Sequence, residues 1–254
     1  MAKKFGKYYH DISMSWMWAR IKKRSRFLGY PKGGFQKIID KLVTNIETNG
    51  GAINLKNQIF NINQLKSFDK IIFTGSSPQL AEIAPNLPKA YIQQLNKIKY
   101  FGTVELLICL SKPLDGNFYW LNINDFSLPF IGCVQQTDLV DSREYNNNHL
   151  VYLVAYVDQK DELFNIKPVQ LMNSWTKNLT KIDKNFSQNN IKKYWVFKEK
   201  YTQPIFTKGD YQFIPSFTTP IENLYLVNMA QIYPWDRGIN YAIKLADNFY
   251  RKYF

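Results

Sequence analysis

The sequence predicts an α/β layer interrupted by a largely antiparallel sheet, so the chain is α+β overall. Three observations point there. Phe35, Ile38, Ile39, Leu42, Val43 and Ile46 recur at helical spacing, and strand-like runs follow at Ala52 to Phe60 and at Lys70-Ile-Ile-Phe73. Between about Ser76 and Pro215 strand candidates accumulate at 103–110, 117–123, 130–136, 149–157 and 193–197, separated by Asn-, Pro- and Asp-rich turns. After a buried run at Leu224-Tyr-Leu-Val227 the helical period returns from Gly238, with Ile239, Ala242, Ile243, Ala246, Phe249 and Tyr250 on one face.

In chain order, residues 11–28 read as a basic helix carrying Trp16, Trp18, Arg20, Lys22, Lys23, Arg24 and Arg26. Gly29-Tyr-Pro-Lys-Gly-Gly34 breaks it, and Asn49-Gly50-Gly51 ends the next helix as a flexible C-terminal cap should. Shorter helices fit near 79–84 and 168–180. The expected organisation is a leading helical segment (1–28), an α/β layer built from 29–75 and 218–254, and an inserted antiparallel domain (76–217). Helix-then-strand order at both ends is what an α/β layer requires.

Composition narrows the class. Of 254 residues 45% are hydrophobic and 21% charged, which suits a folded chain and excludes wholesale disorder. The net charge is +13, and residues 1–40 hold ten Lys/Arg against Asp11 and Asp40, so +8 of it lies there. Such a stretch attracts anionic lipid or phosphate by long-range electrostatics; a peripheral anionic membrane contact is compatible with it, while nucleic acid is not the expected partner. Cys109 and Cys133 each sit inside an apolar run, with no CxxC pair and no Cys/His cluster. The expectation is two buried free thiols, no metal site, and a cytoplasmic protein. Apolar runs such as Val151-Tyr-Leu-Val-Ala-Tyr-Val157 fall far short of the roughly 20 residues of a membrane span.

Chemistry concentrates in Asn223-Leu-Tyr-Leu-Val-Asn-Met-Ala-Gln-Ile-Tyr-Pro-Trp-Asp-Arg-Gly-Ile-Asn-Tyr-Ala242. A buried strand ends, an irregular loop follows, and Gly238 opens a helix. Unpaired N–H groups and the positive end of the helix dipole then lie beside the loop, where they suit a pyrophosphate or an electron-rich ring edge. Gly238 permits close backbone approach and Arg237 adds a fixed charge. The plain alternative is a strand-loop-helix in which Asp236 only caps the helix.

This segment resembles the terminal cofactor motif of FAD-dependent oxidoreductases of the amine oxidase / protoporphyrinogen oxidase / phytoene desaturase type. Many members carry Gly-Asp after the strand, whereas here Met229-Ala230-Gln231 follows Asn228. A second block, Tyr30-Pro-Lys-Gly-Gly-Phe-Gln36 with its helix and the strand to Ile59, resembles the family's Pro-x-Gly-Gly element, about 190 residues earlier. The resemblance implies a partial FAD-binding Rossmann-like layer with an inserted antiparallel substrate domain. It implies FAD contacts from Ile59, Gln231, Tyr233, Pro234, Asp236, Arg237, Gly238 and Asn240. It also places Trp16, Arg20 and Arg24 at a substrate pocket; packing plus a solvated basic face is the plain reading of those three. No catalytic residue can be named, because the flavin carries the redox chemistry in such enzymes.

The chain holds no GxGxxG turn of the kind that grips a pyrophosphate; neither Gly75-Ser-Ser-Pro78 nor Gly33-Gly34 is one. The resemblance therefore implies a partner, either a separate N-terminal Rossmann half or a further copy of the chain, and oxidation of a small hydrophobic or amine-bearing substrate. A redox-neutral flavoenzyme resembling UDP-galactopyranose mutase is the alternative within the class. A non-enzymatic remnant or basic binding module is the alternative outside it.

Overall fold

A computed structural model of the chain describes residues 2–23, 27, 29–235 and 237–254. Its helices are α1 (Ala2–Phe5), α2 (Met14–Lys22), α3 (Gln36–Thr48), α4 (Ser77–Ile83), α5 (Lys89–Lys97), α6 (Pro168–Thr176) and α7 (Ile239–Tyr253). Its strands are β1 (Ile71–Phe73), β2 (Lys99–Leu110), β3 (Trp120–Asn122), β4 (Gly132–Gln135), β5 (His149–Val157), β6 (Ile191–Ile205) and β7 (Leu224–Leu226). By contacts they divide into two units, Met1–Lys4 with Phe27–Leu55 and Phe101–Thr202, and Phe5–Arg26 with Lys56–Tyr100 and Gln203–Phe254. The mixed α/β and antiparallel content matches the expected class.

In the first unit the sheet runs in the order β3-β4-β5-β2-β6. β2 and β5 pair antiparallel from Gly102↔Val157 to Leu110↔His149. Side chains alternate between faces along each strand, so one register assigns both faces at once. Val104, Leu106 and Ile108 on β2, with Val151, Leu153 and Ala155 on β5, are buried on one face. Leu171, Trp175 and Leu179, on α6 and the 3-10 turn after it, close over that face, and the Trp175 ring lies 5.8 Å from Phe130. Thr103, Glu105 and Leu107, with Tyr152, Val154 and Tyr156, occupy the other face and are half-buried. Gly102 is required by close approach: a Cβ there would sit 2.7 Å from the Glu199 carbonyl oxygen on β6.

The second unit holds β1 and β7, paired parallel with Ile71↔Leu224 and Phe73↔Leu226. Leu80 and Ala84 of α4, Leu95 of α5 and Leu224 and Leu226 of β7 form its core with Ile62 and Leu87. Ser76 and Gln79 cap α4 reciprocally, with Pro78 in its first turn, where a missing N–H costs nothing.

Several expectations change. Residues 52–60 alternate in hydrophobicity yet form no strand, because no neighbouring strand offers them a ladder. Of the expected helix over 11–28, Met14–Lys22 is helical among the described residues, and 24–26 and 28 lie outside them. The strand over 193–197 extends to Ile191–Ile205, and α5 was not foreseen. α3 forms as its spacing demands, but none of its residues is buried, and Ile38, Ile39, Leu42 and Ile46 stay exposed. α7 buries only Phe249, against Phe217 and Tyr225, and leaves Ile239, Ile243 and Tyr250 exposed.

Two outcomes follow. Asn228 is 4% exposed; its Oδ1 accepts from the Ala230 N–H, and its Nδ2 donates to the Gly75 carbonyl and to Ser77 Oγ. Asn228→Ala strands two buried partners and one half-buried one and should lower stability by about 2–3 kcal/mol in urea unfolding; a loss under ~0.5 kcal/mol would show that the link carries no energy. Cys133 is fully buried and Cys109 9% exposed, and burial pushes the Cys133 thiol up to about 12. The thiolate is the reactive form, so neither cysteine should react with a disulfide reagent at mild alkaline pH until denaturant is added.

Candidate functional site

The loop leaving the carboxyl end of β7 begins with an Asn228 cap on a 3-10 turn, Met229–Ile232. Gln231 completes that cap: its Oε1 accepts from the Asn228 N–H at 2.8 Å, while its Nε2 donates to the carbonyls of Leu226 and Pro215. The Gln231 side chain thus holds the loop in place. A cis Tyr233-Pro234 bond follows, then Trp235 and Arg237.

This loop and its neighbours enclose a small space of about 20 Å³ lined by Trp16, Gln203, Phe206, Tyr233, Trp235 and Arg237, with Pro204 and Met229. That is room for roughly one water, and the walls are mostly aromatic. Their positions are set by contacts. Tyr233 packs its ring 4.4 Å from Phe206 and shares a 2.8 Å hydrogen bond with Ser13 Oγ. Trp235 stacks on Tyr241 with planes 2° apart, and Trp18 lies 5.9 Å from it. The Arg20 guanidinium sits 4.8 Å over the Trp16 ring. Gln203 is 3% exposed, and its Oε1 is buried with no hydrogen-bond partner among the described residues.

Of the residues singled out in the sequence, the structure thus gathers Trp16, Tyr233 and Arg237, with Arg20 stacked behind Trp16. Pro234 lies in the same loop, and Asn240 is exposed in the first turn of α7. Ile59 is half-buried in irregular chain and outside any sheet. Arg24 and Asp236 lie outside the described residues. Gly238 is the N-cap of α7, with φ −173°, extended backbone that any residue adopts; its need for glycine does not come from conformation.

Phe206 and Gln203 were missed, because they come from chain distant from the motif; Met229 lies within the motif and was not singled out as a contact. The second unit also has an open cleft of about 380 Å³ lined by Lys7, Tyr8, Asp11, Lys99, Thr207 and Lys208. There the basic N-terminal stretch meets two distant lysines.

In the first unit the sequence signalled no site, yet the half-buried sheet face carries Glu105 and a group of tyrosines. Burial raises the Glu105 carboxyl above its usual range. Burial also pushes Tyr152 up to about 12, helped by Tyr30, Tyr145, Glu105 and Tyr119. Nearby, His149 Nδ1 lies 3.1 Å from Thr137 Oγ1, and Asp141 caps the turn at Ser142–Tyr145 while pairing with Arg143. His149 and Asp141 each have partners within the fold. Among the described residues no helix is long and apolar enough to cross a membrane.

Known structures share the fold. A protein described as a protoporphyrinogen oxidase from Exiguobacterium matches with TM-score 0.58 and 14% identity over 72% of this chain and 40% of its own. A Methanosarcina mazei oxidoreductase matches with TM-score 0.58 and 18% identity over 84% of this chain and 53% of its own. Reduced UDP-galactopyranose mutase matches with TM-score 0.58 and 14% identity over 77% of this chain and 46% of its own. The chain therefore spans about half the length of these structures, and at such identities they establish the fold. Comparison with curated proteins finds no match. The model of flavin-containing amine oxidoreductases, however, matches residues 22–244. With the strand-loop-helix and its aromatic wall in place, that coverage decides the family: the chain belongs to the flavin-containing amine oxidoreductases.

Proposed function

We propose that the chain is the substrate domain and C-terminal cofactor wall of an FAD-dependent oxidoreductase that oxidises a hydrophobic or amine-bearing substrate. The observation that carries this reading is the convergence of Trp16, Tyr233, Trp235 and Arg237 where β7 leads into α7. When bound, the flavin supplies the two-electron acceptance that no side chain here provides. The chain's own residues do the rest. The first N–H groups of α7, beyond Gly238, with Arg237 beside them, favour an electron-rich or anionic ring edge. The aromatic walls exclude water, and Gln203 offers one buried acceptor for orientation.

The donor set fits one side of a flavin, and the phosphate-gripping turn must come from elsewhere. Two features support completion by a polypeptide carrying a strand-GxGxxG-helix element. β1 and β7 form a two-stranded parallel sheet, a class that normally lies buried in larger sheets. The apolar faces of α3 and α7 are exposed in this chain. A large uncovered apolar face marks an association surface.

The test is titration of the chain with lumiflavin and with FAD, read by flavin fluorescence, in parallel with Gly238→Val. Among the described residues only Asn240 Oδ1, the end of a flexible side chain, lies within 3 Å of a Cβ at position 238. Gly238→Val should therefore lower apo stability only by the loss of a glycine N-cap, about 1 kcal/mol or less, while weakening flavin binding several-fold. Wild-type flavin affinity in this variant would remove the α7 N-terminus from the site. Gln203→Leu should leave the apo melting temperature unchanged or raise it, because a similarly shaped apolar group removes a buried oxygen without a partner. A loss above ~1 kcal/mol would show that the amide is bonded within the fold.

A further inference from the structure

α2 packs one side into the second unit and leaves the other uncovered. Trp16 and Ala19 are buried, and the Trp16 ring lies 5.0 Å from Phe5. Met14, Met17, Trp18 and Ile21 recur at i, i+3, i+4 and i+7, which a helix gathers into one stripe roughly opposite Trp16 and Ala19. They are 76%, 37%, 53% and 69% exposed. Trp18 continues the stripe beyond the helix: it lies 5.9 Å from Trp235, which stacks on Tyr241. All of these residues belong to the second unit. A single exposed apolar side chain needs no explanation, whereas a row of them along one helix marks a contact surface.

Charge indicates what covers the stripe. At about 100° per residue Arg20 and Lys22 fall on its two flanks, and both are exposed, as is Lys23 after them. From Ile12 to Ile39 the sequence carries seven Lys/Arg and no acid. α3 and α7 differ in this respect. Their polar sides mix signs, with Asp40 and Glu47 beside Lys37 and Lys41, and Asp247 paired with Arg251. Mixed signs suit a protein partner. An apolar stripe bordered by one sign suits an anionic bilayer, whose headgroups meet the cations while the stripe enters the acyl boundary. Lysine stems lie along the apolar surface and keep their ammonium ends among the headgroups. A helix of 9 residues is about 14 Å long, under half the ~30 Å of a hydrocarbon core, so it lies along the interface and does not span it.

We propose that α2 is a membrane-docking surface, which seats Met14, Met17, Trp18 and Ile21 in the interface of an anionic bilayer and sets Lys22 and Lys23 on its headgroups. Docking of this kind is independent of the flavin reading, because it uses neither the cofactor nor the substrate. It also gives the concentration of positive charge at the start of the chain a partner that the fold does not provide.

The experiment is flotation of the full chain, without flavin, with vesicles of phosphatidylcholine alone and with about a third phosphatidylserine. The chain should bind the anionic vesicles about tenfold or more tighter than the neutral ones, and added salt should release much of it. Met14→Ser/Ile21→Ser should weaken that binding about tenfold, and so should Lys22→Glu/Lys23→Glu. Both should keep the wild-type melting temperature, because all four side chains are exposed. Absence of binding to the anionic vesicles overturns the proposal, as does equal binding to the two compositions. Undiminished binding by a folded Met14→Ser/Ile21→Ser chain overturns it too, since basic surface elsewhere would then account for the attraction. If the serine variant melts lower, undiminished binding by Lys22→Glu/Lys23→Glu overturns it instead. Sedimentation of the chain alone is the control: a dimer lost in Met14→Ser/Ile21→Ser would assign the stripe to a second copy and overturn the lipid assignment. Because flavin is absent, failure here leaves the flavin titration above intact, and failure of that titration leaves this surface standing.

Discussion

The buried amide of Asn228 fastens the carboxyl ends of two parallel strands. Its Oδ1 caps the turn after β7, and its Nδ2 reaches the Gly75 carbonyl and Ser77 Oγ at the turn after β1. Crevices beyond the carboxyl ends of parallel strands are where α/β folds place ligands. A two-stranded sheet has little ladder of its own to hold such a crevice open. The amide does that work together with Gln231, which is spent on the Leu226 and Pro215 carbonyls. Once the loop is held, Tyr233, Trp235 and Arg237 have determinate positions, and the aromatic wall follows from them. Where many relatives carry Gly-Asp, this chain has a 3-10 turn whose polar groups are satisfied internally.

The antiparallel sheet divides its labour by face. Period-two alternation sends Val104, Leu106, Val151 and Leu153 into the core with Trp175, and sends Glu105, Tyr152 and Tyr156 the other way. The core face needs only volume and apolarity, so it tolerates many sequences. The opposite face combines an acid with phenols. The core that stabilises these strands therefore rests on one face, and changes on the other need not disturb it.

α3 and α7 are amphipathic, yet their apolar sides are not absorbed by this chain. Helix formation requires only the local period and suitable ends, whereas burial requires a partner surface. The sequence from Ala52 to Phe60 illustrates the converse. It has strand-like alternation, but a strand exists only through ladder bonds to a neighbour, and none is present there.

How far the protein was legible depends on the range of the interactions concerned. Helical period, strand alternation and turn chemistry are local, so β5 was read to the residue, α3 to within two residues at its C-terminal end, and the strand-loop-helix around Asn223 to Ala242 in order. Family membership was legible as well, because its motifs are contiguous blocks in a fixed order. Sequence could not show that Gln203 and Phe206 join Trp16 and Tyr233, since that requires chain segments far apart to converge. Nor could it show that Met14, Met17, Trp18 and Ile21 of α2 stay exposed, because that depends on what packs against the helix. Sequence by itself determined the elements and the family; tertiary structure alone decided which polar groups are left without partners, because satisfaction of a buried group is settled by whatever packs against it.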